Sequence, residues 1–290
     1  MTNVFTHFVG IDWSGAKGKR HAGLAVAVCD AVMGQTKLIG PPDGKRNWSR
    51  EGCADWISAG CDLDGSARVL VGLDSSFSMP FMDEESYIPN KSVALDAKQL
   101  WQAIDTVCAT ASDLFGGPFV EEHSSHYLRP NSRGENFSRR MRVAEDIAVS
   151  SGAGPCESVF HLIGPSQVGM SGLSTMRMLA QLNAHDYIAI WPYDEIGGAR
   201  IVLVEIYAAA FAALGGHKGK VRDNRTLKEI LTELDAIMPS ESSQEFSDHA
   251  CDALITAAAL RKIAIDRKYW NPNQLSSKVR RTEGWIFGVI

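Results

Sequence analysis

Three apolar runs in this chain each end in an acid. Val9-Gly-Ile leads into Asp12, Leu70-Val-Gly-Leu into Asp74, and Ile201-Val-Leu-Val into Glu205. Such runs read as buried strands, and Arg68–Leu73, nearly unbroken in its apolar character, has the pattern of a central parallel strand covered on both faces. A carboxylate in or just after a buried strand must be paired, protonated or bound to a cation, because burying it bare is costly. If three of them converge at one sheet edge, they repel one another unless a cation lies between them. The chain is therefore expected to fold as a sheet whose strand ends gather acids.

The remaining pattern fills in an α/β architecture. Val4–Trp13 and His21–Val28 are strand-like and separated by Gly15 and Gly18, which predicts an antiparallel hairpin with a short turn. Lys37–Ile39 extends that sheet. Further strands are expected over Val159–Ile163, Tyr187–Trp191, Arg200–Ile206 and Trp285–Ile290. Helical spacing marks Trp48–Ala59, Leu95–Phe115, Leu173–Leu182, Tyr207–Leu214, Leu227–Ile237 and Asp248–Ala264. Gly116–Pro155 is rich in Gly, Ser, Arg and Glu, with a helix expected around Ser138–Val149. We read Gly116 to Ala184 as an insertion or lid within one domain spanning residues 1–290. The opening hairpin makes the sheet mixed rather than purely parallel.

Composition narrows the partners. An apolar fraction of 45% and a charged fraction of 22% are ordinary for a globular chain with a sizeable core. Net charge is −5, so a polyanion such as nucleic acid has to be held by a local basic patch or through metal ions. The six cysteines, Cys29, Cys53, Cys61, Cys108, Cys156 and Cys251, contain no CxxC pair, which fits reduced core thiols better than a zinc site. No signal-like start and no stretch of about 18 apolar residues is seen, so a cytoplasmic protein with no membrane partner is expected.

A fourth acidic element joins the strand ends. In Ser247-Asp248-His249-Ala-Cys-Asp252-Ala-Leu-Ile, Asp248 and Asp252 stand four apart and share a helix face, with Ile255 turning that face toward the core. Oxygen-only ligands from strand ends and a helix start are what Mg²⁺ or Mn²⁺ prefers. Two such ions can serve phosphodiester hydrolysis. Structural readings stand beside this one: Asp248 as a first-turn helix acid, and Asp74 as the start of a turn. His249 reads either as a proton shuttle beside the site or as a surface histidine.

Basic residues fall in two stretches. Arg129, Arg133, Arg139, Arg140 and Arg142 lie close together, with Tyr127 and Phe137 nearby. Arg139, Arg140 and Arg142 read as a phosphate-gripping lid, or equally as a solvated face paired with Glu135, Glu145 and Asp146. Lys218, Lys220, Arg222 and Arg225 read as a solvated loop. Gly164-Pro-Ser-Gln-Val-Gly-Met-Ser-Gly lacks the lysine of a phosphate loop and reads as a strand-to-helix connection near the cleft.

Taken in order, GIDWSG, GLDSSFSMP, VEIY, SDHACDALITAAAL and the terminal EGWIFGVI resemble the domain-of-unknown-function family 429, a predicted nuclease branch of the ribonuclease-H-like superfamily. The helix also resembles the last catalytic helix of RuvC-type Holliday-junction resolvases. The resemblance covers most of the chain. It implies a ribonuclease-H-like mixed sheet with an N-terminal β-hairpin, flanking helices and an insertion, and a divalent-metal-dependent nuclease. Asp12 is then the first-strand acid, Asp74 the fourth-strand acid, and Asp252 with Asp248 the helix acids. Glu205 matches an acid after a later strand, although the proline that often follows in the family is Ala208 here. The family's Arg-x-x-x-Glu element is echoed by Arg142 and Glu145, one residue short in spacing.

Two other functions remain open. An actin- or sugar-kinase-like ATPase shares the opening hairpin, with Asp12-Trp-Ser-Gly-Ala-Lys17 as a phosphate loop. Asp74-Ser-Ser then comes too soon for the duplicated half-domain such enzymes need, and no Gly-rich adenosine motif is evident. A non-catalytic nucleic-acid-binding protein on the same fold is the other.

Overall fold

A computed structural model of the chain describes residues 4–164, 167–240 and 245–290. The main sheet contains β1 (His7–Asp12), β2 (Ala25–Asp30), β3 (Thr36–Ile39) and β4 (Val69–Asp74). A small hairpin comes next, β5 (Leu128–Arg129) with β6 (Ser132–Arg133), and β7 (Ile188–Ile190) and β8 (Ile201–Glu205) return to the main sheet. The early helices are α1 (Arg50–Ser58), α2 (Ala97–Val107), α3 (Gly117–Glu122), α4 (Val143–Ser150) and α5 (Gly169–Leu182). The later ones are α6 (Ala208–Leu214), α7 (Asn224–Glu233), α8 (Asp248–Ile263), α9 (Arg267–Trp270) and α10 (Ser277–Thr282).

Six strands run in the order β3-β2-β1-β4-β8-β7. β1, β4, β8 and β7 are mutually parallel, whereas β2 is antiparallel to both its neighbours. The architecture is thus a mixed α/β sheet with helices on both faces. Successive side chains of a strand point to opposite faces, so each strand feeds two cores. Val9, Ile11, Val71, Leu73, Ile201 and Leu203 pack with α1, α2 and α5 on one face. Phe8, Leu70, Val202 and Val204 pack with α8 on the other.

Helix α8 comes unusually close to the sheet, and two glycines allow it. A Cβ on Gly10 would lie 2.2 Å from the Ala253 carbonyl oxygen, and one on Gly72 would lie 2.8 Å from the Leu260 side chain. The facing surface of α8 is small, with Ala250, Ala253, Ala257 and Ala258 all buried. Helix and strands are therefore in near-backbone contact, which fixes the first turn of α8 over the carboxyl ends of β1 and β4.

Several elements depart from the sequence reading. β1 and β2 pair as expected, but a long connection over residues 13–24 joins them instead of a short turn. Leu95–Phe115 is helical only to Val107; beyond it Asp113 and Leu114 take positive φ of 51° and 56° and turn the chain. Val159–Ile163 forms no strand, only a bridge between His161 and Leu128. Trp285–Ile290 likewise bridges only through Ile286 to Glu205. Gly116–Ala184, read as an insertion or lid, ends in packed helix. Its last helix, α5, buries Leu173, Met176, Leu179 and Leu182 and packs against α2 beneath the sheet. Pro165 and Ser166 of the Gly164–Gly172 connection lie outside the described residues.

Candidate active site

Asp12 and Asp74 are the terminal residues of β1 and β4, and they are register partners. Each stands two residues after a glycine that α8 covers, so both carboxylates leave the sheet on the α8 face. The Ala208 amide at the start of α6 donates to Asp74 Oδ1 at 3.3 Å. Helix α8 adds the third acid. Ser247 caps it, its hydroxyl accepting from the Ala250 amide at 3.2 Å. That cap sets the helix start, which places Asp248 and His249 in the first turn and Asp252 one turn on. Asp12, Asp74, Asp252 and His249 all line one open cleft of about 420 Å³.

The electrostatics tie these acids together. Burial, then the charges of Asp12 and Asp252, push the Asp74 carboxyl well above its ordinary range. Burial and the Asp12 charge push Asp252 up to about 7. Asp12 is also raised, chiefly by burial, with His249 opposing the shift. His249 Nδ1 lies 2.6 Å from Asp12 Oδ2, and this bond raises the imidazole above its usual value. Its Nε2 is 3.8 Å from Asp248 Oδ1. Burial works against the Asp248 charge, but the Lys220 bond at 3.2 Å and the nearby His249 hold its carboxyl below the ordinary value.

Glu205 behaves differently. It pairs in register with Leu73, whose side chain belongs to the opposite core, so Glu205 leaves the sheet on the other face from Asp74. There Arg142 grips both of its oxygens, Nη1 at 2.8 Å from Oε2 and Nη2 on Oε1. The Phe77 amide donates to Oε2 at 2.8 Å. With both oxygens engaged, Glu205 acts as a brace at the edge of the cleft and is not free to join the other three acids as a ligand.

The arginine segment is likewise internal in large part. Arg142 is 1% exposed and also holds Glu145, with Nε 2.8 Å from Oε1. Arg140 is 5% exposed; it pairs with Asp83 at 2.6 Å and donates to the carbonyls of Pro80, Ser86 and Tyr87. Neither guanidinium is free to grip a phosphate. Arg139 stays exposed and pairs with Glu157 at 2.8 Å. These arginines bind the 138–145 segment to the rest of the fold. Of the three acids expected to pair with these arginines, Glu145 does so with Arg142, but buried rather than on a solvated face, while Glu135 and Asp146 are not among their contacts.

Two site residues stand out less in the sequence than in the structure. His249 sits one helical turn from Asp252, a His-x-x-Asp spacing that is legible. Lys220 reaches the site from the α6–α7 connection, which no local pattern announces.

The donor set suits a hard divalent cation in kind, being three carboxylates at one mouth, where the Asp12 charge raises the proton affinity of both Asp74 and Asp252. Among the described residues, no three His, Cys, Asp or Glu side chains are gathered closely enough to hold a metal ion as they stand. No helix is long and apolar enough to cross a membrane among those residues. No protein-family model matches the chain, and no curated protein or solved structure matches it either.

Proposed function

We propose that the protein is a divalent-metal-dependent nuclease on a ribonuclease-H-like fold, hydrolysing phosphodiester bonds at the mouth formed by Asp12, Asp74 and Asp252. The observation that carries this reading is the register pairing of Asp12 with Asp74 on one face, with Asp252 set over that same face by α8. The Asp12 charge raises the proton affinity of both Asp74 and Asp252, which supports it, because carboxylates so arranged favour a shared proton or a cation. The order β3-β2-β1-β4-β8, with β2 alone reversed, is compatible with the ribonuclease-H-like part.

Asp12, Asp74 and Asp252 would hold Mg²⁺ or Mn²⁺, which when bound supplies charge neutralisation on the phosphate and a water of lowered pKa. The chain's own groups have separable tasks. Asp12 orients His249 through Nδ1, which leaves Nε2 as the atom that carries a proton at the part-exposed mouth. The bond to Asp12 favours the protonated imidazole, so His249 is suited to give a proton to a leaving oxygen. Glu205 and Arg142 hold the loop after β4 by way of the Phe77 amide, which keeps Asp74 in place.

The test is a cleavage panel of single-stranded, duplex and branched DNA and of RNA with Mg²⁺ or Mn²⁺. Asp12→Asn and Asp74→Asn serve as controls. Metal-dependent cleavage lost in both variants supports the reading. Cleavage that survives either change comes from elsewhere and removes the proposal.

A further inference from the structure

With Arg140 and Arg142 internal, a chain of net charge −5 needs another basic surface to hold a polyanion. Two loops provide one. The first is the connection over residues 13–24, which leaves β1 directly after Asp12. Its tip, Ala16-Lys-Gly-Lys-Arg20, is exposed throughout. Arg20 pairs with Asp43, whereas Lys17 and Lys19 make no ion pair among the described residues.

That tip is fixed from beneath. Arg50, 0% exposed in α1, donates Nη1 to the carbonyls of Ser14 at 2.7 Å and Ala16 at 3.0 Å. Its Nε donates to the Asp113 carbonyl at 2.6 Å. The Asp113 carboxylate bonds His21 Nε2 at 2.7 Å and accepts from the Glu51 amide at 3.1 Å. Both ends of the basic tip are thus tied to one buried Arg–Asp pair. Burying such groups is costly, and what they secure here is the fixed shape of an otherwise exposed cationic loop.

The second loop is the α6–α7 connection, where Lys218, Lys220 and Arg222 are exposed. Lys220 lines the cleft and bonds Asp248 at 3.2 Å. The first loop reaches the same helix turn, because a Cβ on Gly23 would lie 3.4 Å from the His249 ring. Both loops therefore flank the first turn of α8.

We propose that Lys17 and Lys19 of one loop and Lys218, Lys220 and Arg222 of the other grip the phosphodiester backbone of a polynucleotide and lay it across the acid mouth. The proposal rests on the nuclease reading for the chemistry at the acids, but binding by the track is separable from cleavage.

The experiment measures fluorescence anisotropy of labelled single-stranded DNA, and of RNA of the same sequence, with the full chain in EDTA across a KCl titration. Lys17→Ala/Lys19→Ala is expected to lower the slope of log K against log salt by about 1.4. Lys218→Ala/Lys220→Ala/Arg222→Ala should lower it by about 2.1, at about 0.7 per phosphate contact. Each variant loses affinity tenfold or more, on the order expected for that slope change. Lys268→Ala, which removes an exposed cation on α9, leaves the slope unchanged. Unaltered thermal midpoints confirm that these surface variants fold. Slopes equal to the parent's in both multiple variants, or no binding by the parent, overturn the track. A parent that binds with these slopes yet cleaves nothing with Mn²⁺ contradicts the nuclease reading alone. A parent that cleaves while the slopes stay put contradicts the track alone.

Discussion

Asp252→Asn replaces a carboxylate with an amide of nearly the same shape in the acid mouth, and without metal it should stabilise the fold. Burial and the Asp12 charge raise the Asp252 carboxyl from 3.8 to about 7. At 1.36 kcal/mol for each tenfold change in proton affinity, that rise costs the ionised form about 4 kcal/mol. The figure is a ceiling, since the side chain is part exposed and solvent screens it, and about 1–2 kcal/mol is the working expectation. Linkage sets the sign. In the folded state Asp252 keeps its proton at pH values where the unfolded chain has lost it. Its stabilising contribution is therefore complete below the ordinary carboxylate value and is lost as pH rises through about 7.

The assay is thermal unfolding of the parent and Asp252→Asn in EDTA, at mildly acidic and mildly alkaline pH. At alkaline pH the variant should melt about 2–3 °C above the parent, and at acidic pH the gap should shrink toward zero. Adding Mn²⁺ should raise the parent at alkaline pH and leave the variant nearly unmoved. A variant less stable than the parent in EDTA at alkaline pH would refute this expectation. It would mean that Asp252 makes a favourable contact that outweighs the repulsion from Asp12.

Three further perturbations probe the scaffold. Arg142→Ala leaves Glu145 and Glu205 buried without their cation, and should cost about 3–5 kcal/mol in denaturant unfolding; a loss within error of zero contradicts the brace assigned to Glu205. Gly10→Ala puts a Cβ 2.2 Å from the Ala253 carbonyl oxygen, so α8 must shift. It should cost about 1–3 kcal/mol and reduce Mn²⁺ affinity together, and unchanged affinity would show that α8 does not set the site. Ser247→Ala removes the cap of α8 and should lower stability by about 1 kcal/mol, read from the urea midpoint.

Much of the site is legible in the sequence, and the reason lies in two glycines. Gly10-Ile-Asp12 and Gly72-Leu-Asp74 share a Gly-x-Asp pattern in which the glycine admits α8 and the acid emerges on the same face two residues later. Ile201-Val-Leu-Val-Glu205 looks alike if only the terminal acid is counted. It has Leu203 where the other strands have glycine, and its register against Leu73 turns Glu205 to the far face. Register belongs to strand pairing, so the apolar run alone does not show it. The acids of α8 are legible from Ser247 and the four-residue spacing of Asp248 and Asp252. The burial of Arg140 and Arg142 is not, because their partners Asp83 and Glu205 are distant in sequence. The long connection after β1 looks like a short turn for a related reason. What holds it is Asp113, at a positive φ in the segment expected to continue α2 as helix.

The central claim is that Asp12, Asp74 and Asp252 jointly take a divalent cation, and anomalous diffraction from crystals soaked in Mn²⁺ tests it most directly. The expected result is an anomalous peak between the Asp12 and Asp74 carboxylates and within reach of Asp252, absent from Asp74→Asn crystals soaked in the same way. No peak there in the parent, with the three carboxylates well ordered, would contradict it.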